Sequence, residues 1–138
     1  MTDERKLIEA AFAAQQYSYS PYSDFMVGAA LLAKSGKIYT GCNIESISYS
    51  PSNCAERTAF FKAVSEGERA FTAIAIVGNR RSGRTEQDGW CTPCGVCRQV
   101  MLEFCGEDFK IILAKTADDS IVKTLGELLP MGFGPGSF

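Results

Sequence analysis

Phe71-Thr72-Ala73-Ile74-Ala75-Ile76-Val77, then Gly95-Val96-Cys97-Arg98-Gln99-Val100-Met101-Leu102-Glu103-Phe104, then Lys110-Ile111-Ile112-Leu113-Ala114 is the stretch that decides the fold. The first and third segments are apolar runs of strand length. The middle one carries Val100, Met101 and Phe104 on one helical face, and Gly106 follows it as a stop. Upstream, Ala55 to Glu66 reads as a helix that ends at Gly67, a favoured residue just past a helix terminus. Further back, Val27–Ala33 and Lys37–Cys42 are strand candidates, and the turn Lys34-Ser35-Gly36 predicts that they pair as a hairpin. Asp3 to Gln16 reads as a helix with Leu7, Ile8, Ala11 and Phe12 on one face and acidic residues in its first turn, where the helix dipole favours them. Tyr17–Ser23, Ser46–Asn53 and the long polar stretch Gly78–Pro93 read as loops. At the other end Thr124 and Glu127 form a capping box before Leu128 and Leu129, and Pro130 stops that short helix. The order helix, hairpin, helix, strand, helix, strand, helix predicts an α/β protein. The expected architecture is a single three-layer α/β/α domain over residues 1–138, with helices on both faces of a central mixed sheet.

Composition narrows the function. The chain has 138 residues, 46% of them apolar, which is enough for one sizeable core. Its formal net charge of -2 disfavours polynucleotide binding, which draws its affinity from Lys and Arg displacing counterions. Arg80, Arg81 and Arg84 are too few to change that and read as a solvated loop. The charged start Met1-Thr2-Asp3-Glu4-Arg5-Lys6 does not read as a signal peptide, and no apolar run is long enough for a bilayer. A cytoplasmic protein with no membrane or nucleic-acid partner is the expectation.

Six cysteines and no histidine set the chemistry. Clustered cysteines in a cytosolic chain point to metal or redox work. Without histidine, a metal site must use thiolates or carboxylates, and acid–base steps need another residue. Cys54-Ala55-Glu56 and Pro93-Cys94-Gly95-Val96-Cys97 each open a helix. A C-x-x-C pair reaches one ion from a single turn, and a third thiolate leaves the fourth position of Zn²⁺ open, as in catalytic sites. Three thiolates leave a net of about -1 by simple valence. Two helix N-termini offset part of it, and Arg57 is placed to donate hydrogen bonds to thiolate sulfur. Glu56 is the candidate proton carrier. A spacing of two puts side chains on opposite sides of a regular helix, so Cys54 and Glu56 can share a site only at the helix tip. Cys91 forms a second C-x-x-C with Cys94. Pro93 and the helix after it favour Cys94 with Cys97 and leave Cys91 as a loop thiol. Cys42 and Cys105 read as core or half-buried residues.

Those motifs match the zinc deaminase signature, in which a non-ligand Glu accompanies a first ligand and a Pro-Cys-x-x-Cys pair. With Pro21-Tyr22-Ser23-Asp24-Phe25, Gly41-Cys42-Asn43-Ile44-Glu45, Arg57-Thr58-Ala59 and Leu128-Leu129-Pro130 ahead of Phe133-Gly134-Pro135, the chain resembles the small homotetrameric cytidine deaminases from Tyr22 to Phe133. The resemblance implies one zinc per subunit on Cys54, Cys94 and Cys97. It implies that Glu56 shuttles the proton of a zinc-activated water that attacks C4 of the base, then protonates N3 and the departing amine. Asn43 and Glu45 would hold the ribose hydroxyls, Phe25 would pack on the pyrimidine and the Ala55 backbone would contact the base. Tyr49 and Phe133 sit where contacts from neighbouring subunits arise, which implies composite sites in a homotetramer.

Three other functions compete. A deaminase of another small nucleoside, such as blasticidin S, would lack a use for the Asn43–Glu45 pair. A polynucleotide-editing deaminase would need a basic groove and carries histidine at the first ligand. A non-catalytic zinc or redox module would recruit a fourth ligand, with Cys91 at hand, and would give Glu56 no role. The tail Gly132-Phe133-Gly134-Pro135-Gly136-Ser137-Phe138 has little to fold on by itself, so it is expected to dock on a neighbour.

Overall fold

The computed structural model describes residues 3–85 and 87–138. Helix α1 (Asp3–Gln15) leads into strands β1 (Phe25–Ala33) and β2 (Ile38–Cys42). Then come α2 (Ala55–Ser65), β3 (Phe71–Arg80), α3 (Gly95–Phe104), β4 (Lys110–Thr116), β5 (Asp119–Thr124) and the one-turn α4 (Leu125–Leu128). The sheet order is β2-β1-β3-β4-β5. β1 is antiparallel to β2 and β3, β3 is parallel to β4, and β4 is antiparallel to β5. The expected mixed sheet and its helical layers are present.

Strand alternation divides the core in two. On one face Ala30, Ala73, Ala75, Val77, Ile112 and Ala114 pack under Leu7, Ile8 and Ala11 of α1. On the other, Ala29, Leu31, Ile74, Ile76, Ile111 and Leu113 meet α2 and α3 through Ala59, Phe60, Ala63, Cys97 and Met101. Phe60 anchors that side, with its ring 5.1 Å from Phe71 and 6.1 Å from Phe109. A fully buried phenylalanine of this kind contributes about 3 kcal/mol or more, judged by what truncating one costs.

Two glycines set the helix heights. A Cβ at Gly28 would lie 2.0 Å from the Ala11 carbonyl oxygen, and one at Gly41 would lie 2.4 Å from the Ala55 carbonyl oxygen. Only a bare backbone lets α1 and the first turn of α2 come so close.

Three expectations need correction. The segment after Ala117 is a strand, β5, pairing from Lys110↔Thr124 to Thr116↔Asp119. Its acidic start and half-exposed edge position hid the alternation. β3 runs on to Arg80, so the loop read from Gly78 begins three residues later; Phe25 to Leu32 of β1 pair with Arg80 back to Ala73. The tail does have something to fold on. Gly132 and Gly134 lie flat against Leu102 of α3, where a Cβ would come within 2.7 and 2.8 Å of its side chain.

Candidate metal centre and substrate pocket

Two helix N-termini meet at one end of the sheet. Cys54 is the N-cap of α2, with extended backbone at φ -75° and ψ 154°. Glu56 lies in the first helical turn, so the opposition expected of a two-residue spacing does not apply: one residue is outside the helix and the other inside. Cys94 caps α3 in the same way, and its sulfur accepts a hydrogen bond from the Cys97 backbone N–H at 3.5 Å. The ligand atoms of Cys54, Cys94 and Cys97 all lie within 4.8 Å of one another. The Sγ atoms of Cys54 and Cys94 are 3.6 Å apart, and those of Cys94 and Cys97 are 3.5 Å apart.

The donor set asks for a cation. Hydrogen bonding from Cys97, against the cost of burial and with help from Arg57 and Cys94, draws the Cys54 thiol down to about 5. Cys97 is pushed the other way, first by its bond to Cys54 and then by burial. Metal binding to cysteine needs the thiolate form, and sulfurs gathered this closely suit a positive ion between them. Arg57 supplies part of that charge: its Nη2 donates to Cys54 Sγ at 3.4 Å. Burial works against the Arg57 charge, and its hydrogen bonds to Cys54 and Cys97 more than offset it. The Arg57 Nε is buried without a partner. The residues therefore fit a tetrahedral thiophilic ion with one open position, as zinc prefers. Cys91 stands apart from this group among the described residues. Its thiol is pushed up to about 12, by burial first and then by Glu56 and Cys54.

A cavity of about 420 Å³ opens beside the sulfurs, lined by Phe25, Val27, Asn43, Glu45, Ala55, Glu56, Cys91 and Thr92 among others. That falls within the range of small-molecule sites, roughly 300–1,000 Å³. Glu56 is 4% exposed, and burial pushes its carboxyl up to about 7, only partly countered by its own backbone N–H. At the far end, Glu45 accepts from the backbone N–H groups of Tyr22 and Ser23, each at 3.1 Å, and from the Ser23 hydroxyl. Burial, the largest single effect, raises this carboxyl, and the Ser23 and Tyr22 bonds together outweigh it, so Glu45 stays below the usual carboxylate range.

Asn43 is a brace as well as a lining residue. Its Nδ2 donates to the Phe25 carbonyl at 2.8 Å, while its Oδ1 accepts from the Val27 N–H at 2.9 Å and from the Ser18 hydroxyl. One amide N–H remains for a ligand. Sequence reading missed this bracing, and missed Ser23, Val27 and Thr92. It also missed Arg81, which bonds the Asp24 carboxylate at 3.1 Å and closes the loop before β1. These partners are far apart in the chain, so no local pattern marks them. Tyr49, with φ 63°, faces Tyr22 edge-on at 6.3 Å and borders an adjoining recess that shares Ser23, Glu45 and Ser52 with the pocket. Phe133 lies elsewhere, 64% exposed, with its ring 5.4 Å from Phe138.

A family model described as "Cytidine and deoxycytidylate deaminase zinc-binding region" matches residues 1–113. The chain belongs to this family. It is 49% identical over 131 residues to a cytidine deaminase of Sporosarcina psychrophila, covering 95% of this chain and 91% of that one. A cytidine deaminase of Halalkalibacterium halodurans is 47% identical, with 95% and 94% covered. The crystal structure of cytidine deaminase from Burkholderia pseudomallei superimposes with a TM-score of 0.85 at 46% identity, covering 96% of this chain and all of the other. Membership makes this deaminase-family chain a zinc-binding protein, in agreement with its three-sulfur cluster. A closed structural zinc site would need a fourth protein ligand, and the cluster among the described residues holds three. No helix of the described residues is long and apolar enough to cross a membrane.

Proposed function

We propose that the protein hydrolyses cytidine, and deoxycytidine, to uridine or deoxyuridine and ammonia. The observation that carries this reading is a deeply buried Glu56 beside three clustered thiols, in the lining of a pocket of nucleoside scale. Cys54, Cys94 and Cys97 hold the zinc, which when bound supplies Lewis-acid activation of a water. Glu56 accepts the proton that water loses on attacking C4. Its carboxyl passes that proton to N3, then takes a second from the hydroxyl newly formed on C4 as it becomes the carbonyl and delivers it to the departing amine, a task suited to a group whose affinity for protons lies near neutrality. Water enters, the exocyclic amine leaves as ammonia, and the ring keeps the oxygen.

The other residues bind and orient. Phe25 and Val27 offer an apolar wall to the pyrimidine, and the free backbone N–H groups at the start of α2, at Ala55, offer donors to its polar edge. Glu45, held ionised, accepts from the ribose hydroxyls, and the remaining Asn43 N–H donates to them. Arg57 limits the negative charge of the sulfurs and keeps the thiolates ionised. The catalytic unit is the whole of residues 1–138, working in the cytoplasm in the recovery of pyrimidine nucleosides. Its assembly is a homotetramer in which Phe133 from an adjoining copy completes each pocket, and Tyr49 stands on the rim at the sugar end. The exposed apolar side chains of Met131, Phe133 and Phe138 support such burial between copies.

Incubating the purified zinc-loaded protein with cytidine, cytosine and blasticidin S tests the reading by the ultraviolet change on deamination. Turnover of cytidine with little of cytosine is the expected result. Turnover of blasticidin S alone would keep the chemistry and reject the substrate. A folded, zinc-loaded protein inert towards all three would reject the reaction.

A further inference from the structure

Two residues of α3 directly after Cys97 hold the chain at the approach to the tail and at Phe133. Arg98 Nε donates to the Pro93 carbonyl at 2.8 Å, and its Nη1 donates to the Leu128 carbonyl at 2.6 Å. Pro93 lies immediately before Cys94. Leu128 ends α4, whose last carbonyls have no partner within the helix. One guanidinium therefore ties the sulfur-bearing turn to the root of the tail. One position on, Gln99 Nε2 donates to the Phe133 carbonyl at 2.6 Å. Between these grips Gly132 lies against Leu102, and Gly134 lies against it just beyond. The segment from 128 to 134 is thus fixed along α3 at several points, yet Phe133 stays exposed and takes no part in the lining of its own chain's pocket. Among the described residues the ring's aromatic neighbour is Phe138, which is 98% exposed. A segment anchored through backbone carbonyls while its largest apolar side chains stay in water is arranged to present those side chains, not to bury them.

We propose that Arg98 and Gln99 are positioning residues, which clamp the tail to the metal-bearing helix in the one register that aims Phe133 into the pocket of an adjoining copy. The proposal rests on the reading that Phe133 completes a neighbour's pocket. Gln99 is the residue to test. It is exposed, so losing its amide leaves the core and the sulfur cluster in place.

Gln99→Leu, Phe133→Ala and the double variant are each assayed for KM, kcat and zinc content with cytidine. The clamp predicts that Gln99→Leu raises KM about fivefold, the scale of one lost hydrogen bond. It leaves kcat and zinc content at the starting values. It also predicts that Gln99→Leu adds nothing once Phe133→Ala is present, because both act through one ring. A full, additive penalty in the double variant, or a loss that falls on kcat or zinc, would make Gln99 a structural residue and overturn the clamp. Impaired Phe133→Ala beside unaffected Gln99→Leu would overturn the clamp and keep the shared pocket. A Phe133→Ala variant with unchanged KM would remove the shared pocket, and the clamp with it.

Discussion

At the scale of single residues the site is a contest between burial and charge. Glu56 is a carboxyl deprived of water, while Cys54 is a thiol drawn towards ionisation by its neighbours. Environments that push two adjacent titratable groups in opposite directions are a mark of acid–base sites. Glu56→Gln keeps the shape and removes the proton carrier. It is expected to lower kcat by about 10²–10⁴-fold, the range for a lost general acid–base group, with zinc content unchanged by elemental analysis. Loss of zinc along with activity would instead make Glu56 part of the metal site. Cys91 provides the complementary test. It lines the pocket but stands outside the cluster, and burial keeps it a neutral thiol. Cys91→Ala should retain one zinc per chain and deaminate cytidine, whereas Cys94→Ala should lose the metal. A zinc-free Cys91→Ala protein would move the pairing to the upstream C-x-x-C.

Among the elements, the decisive contact is between β2 and the start of α2. Gly41 has no side chain where the Ala55 carbonyl comes down, so α2 brings Cys54 and Glu56 to the sheet end at a height set by one missing methyl group. Gly41→Val forces that helix tip outward. Overpacking of this kind costs about 1–3 kcal/mol, read as a lower midpoint in chemical denaturation. A small displacement at the reacting groups lowers kcat further than the stability change alone accounts for. A variant that loses stability and keeps kcat would show that the tip is positioned by something else. This contact also marks the limit of what the sequence discloses. The clustering cysteine motifs, the four helices, the β1–β2 hairpin and the Thr124–Glu127 box were legible, because spacing, periodicity and capping are written in neighbouring residues. β5 was not, since an edge strand with an acidic start, Asp119-Ser120, lacks a clean alternation. Gly28, Gly41 and the bracing amide of Asn43 were not legible in their structural roles either. Their meaning comes from backbone that approaches from far along the chain.

For the whole molecule, the question is why so much apolar surface stays in water. Met131, Phe133 and Phe138 in the tail, and Tyr17, Ile47 and Tyr49 elsewhere, are exposed. The tail and the segment leading into it are also tied to α3 through Arg98, Gln99 and Leu102. Scattered apolar residues need no explanation, but a fixed cluster marks a surface meant to be covered. A closed assembly covers it and, in the reading above, carries Phe133 to the pocket of another copy. Activity should then follow assembly by mass action. Diluting the zinc-loaded enzyme through the dissociation range, tracked by sedimentation velocity, should lower kcat/KM per chain in step with the tetramer fraction. Circular dichroism should not change, because each chain keeps its own two-sided core. Phe133→Ala should leave a low activity that no longer depends on concentration. If separated chains of the unmodified enzyme turned over cytidine at the full rate, each pocket would be complete within one chain, and the exposed tail would need a purpose other than catalysis.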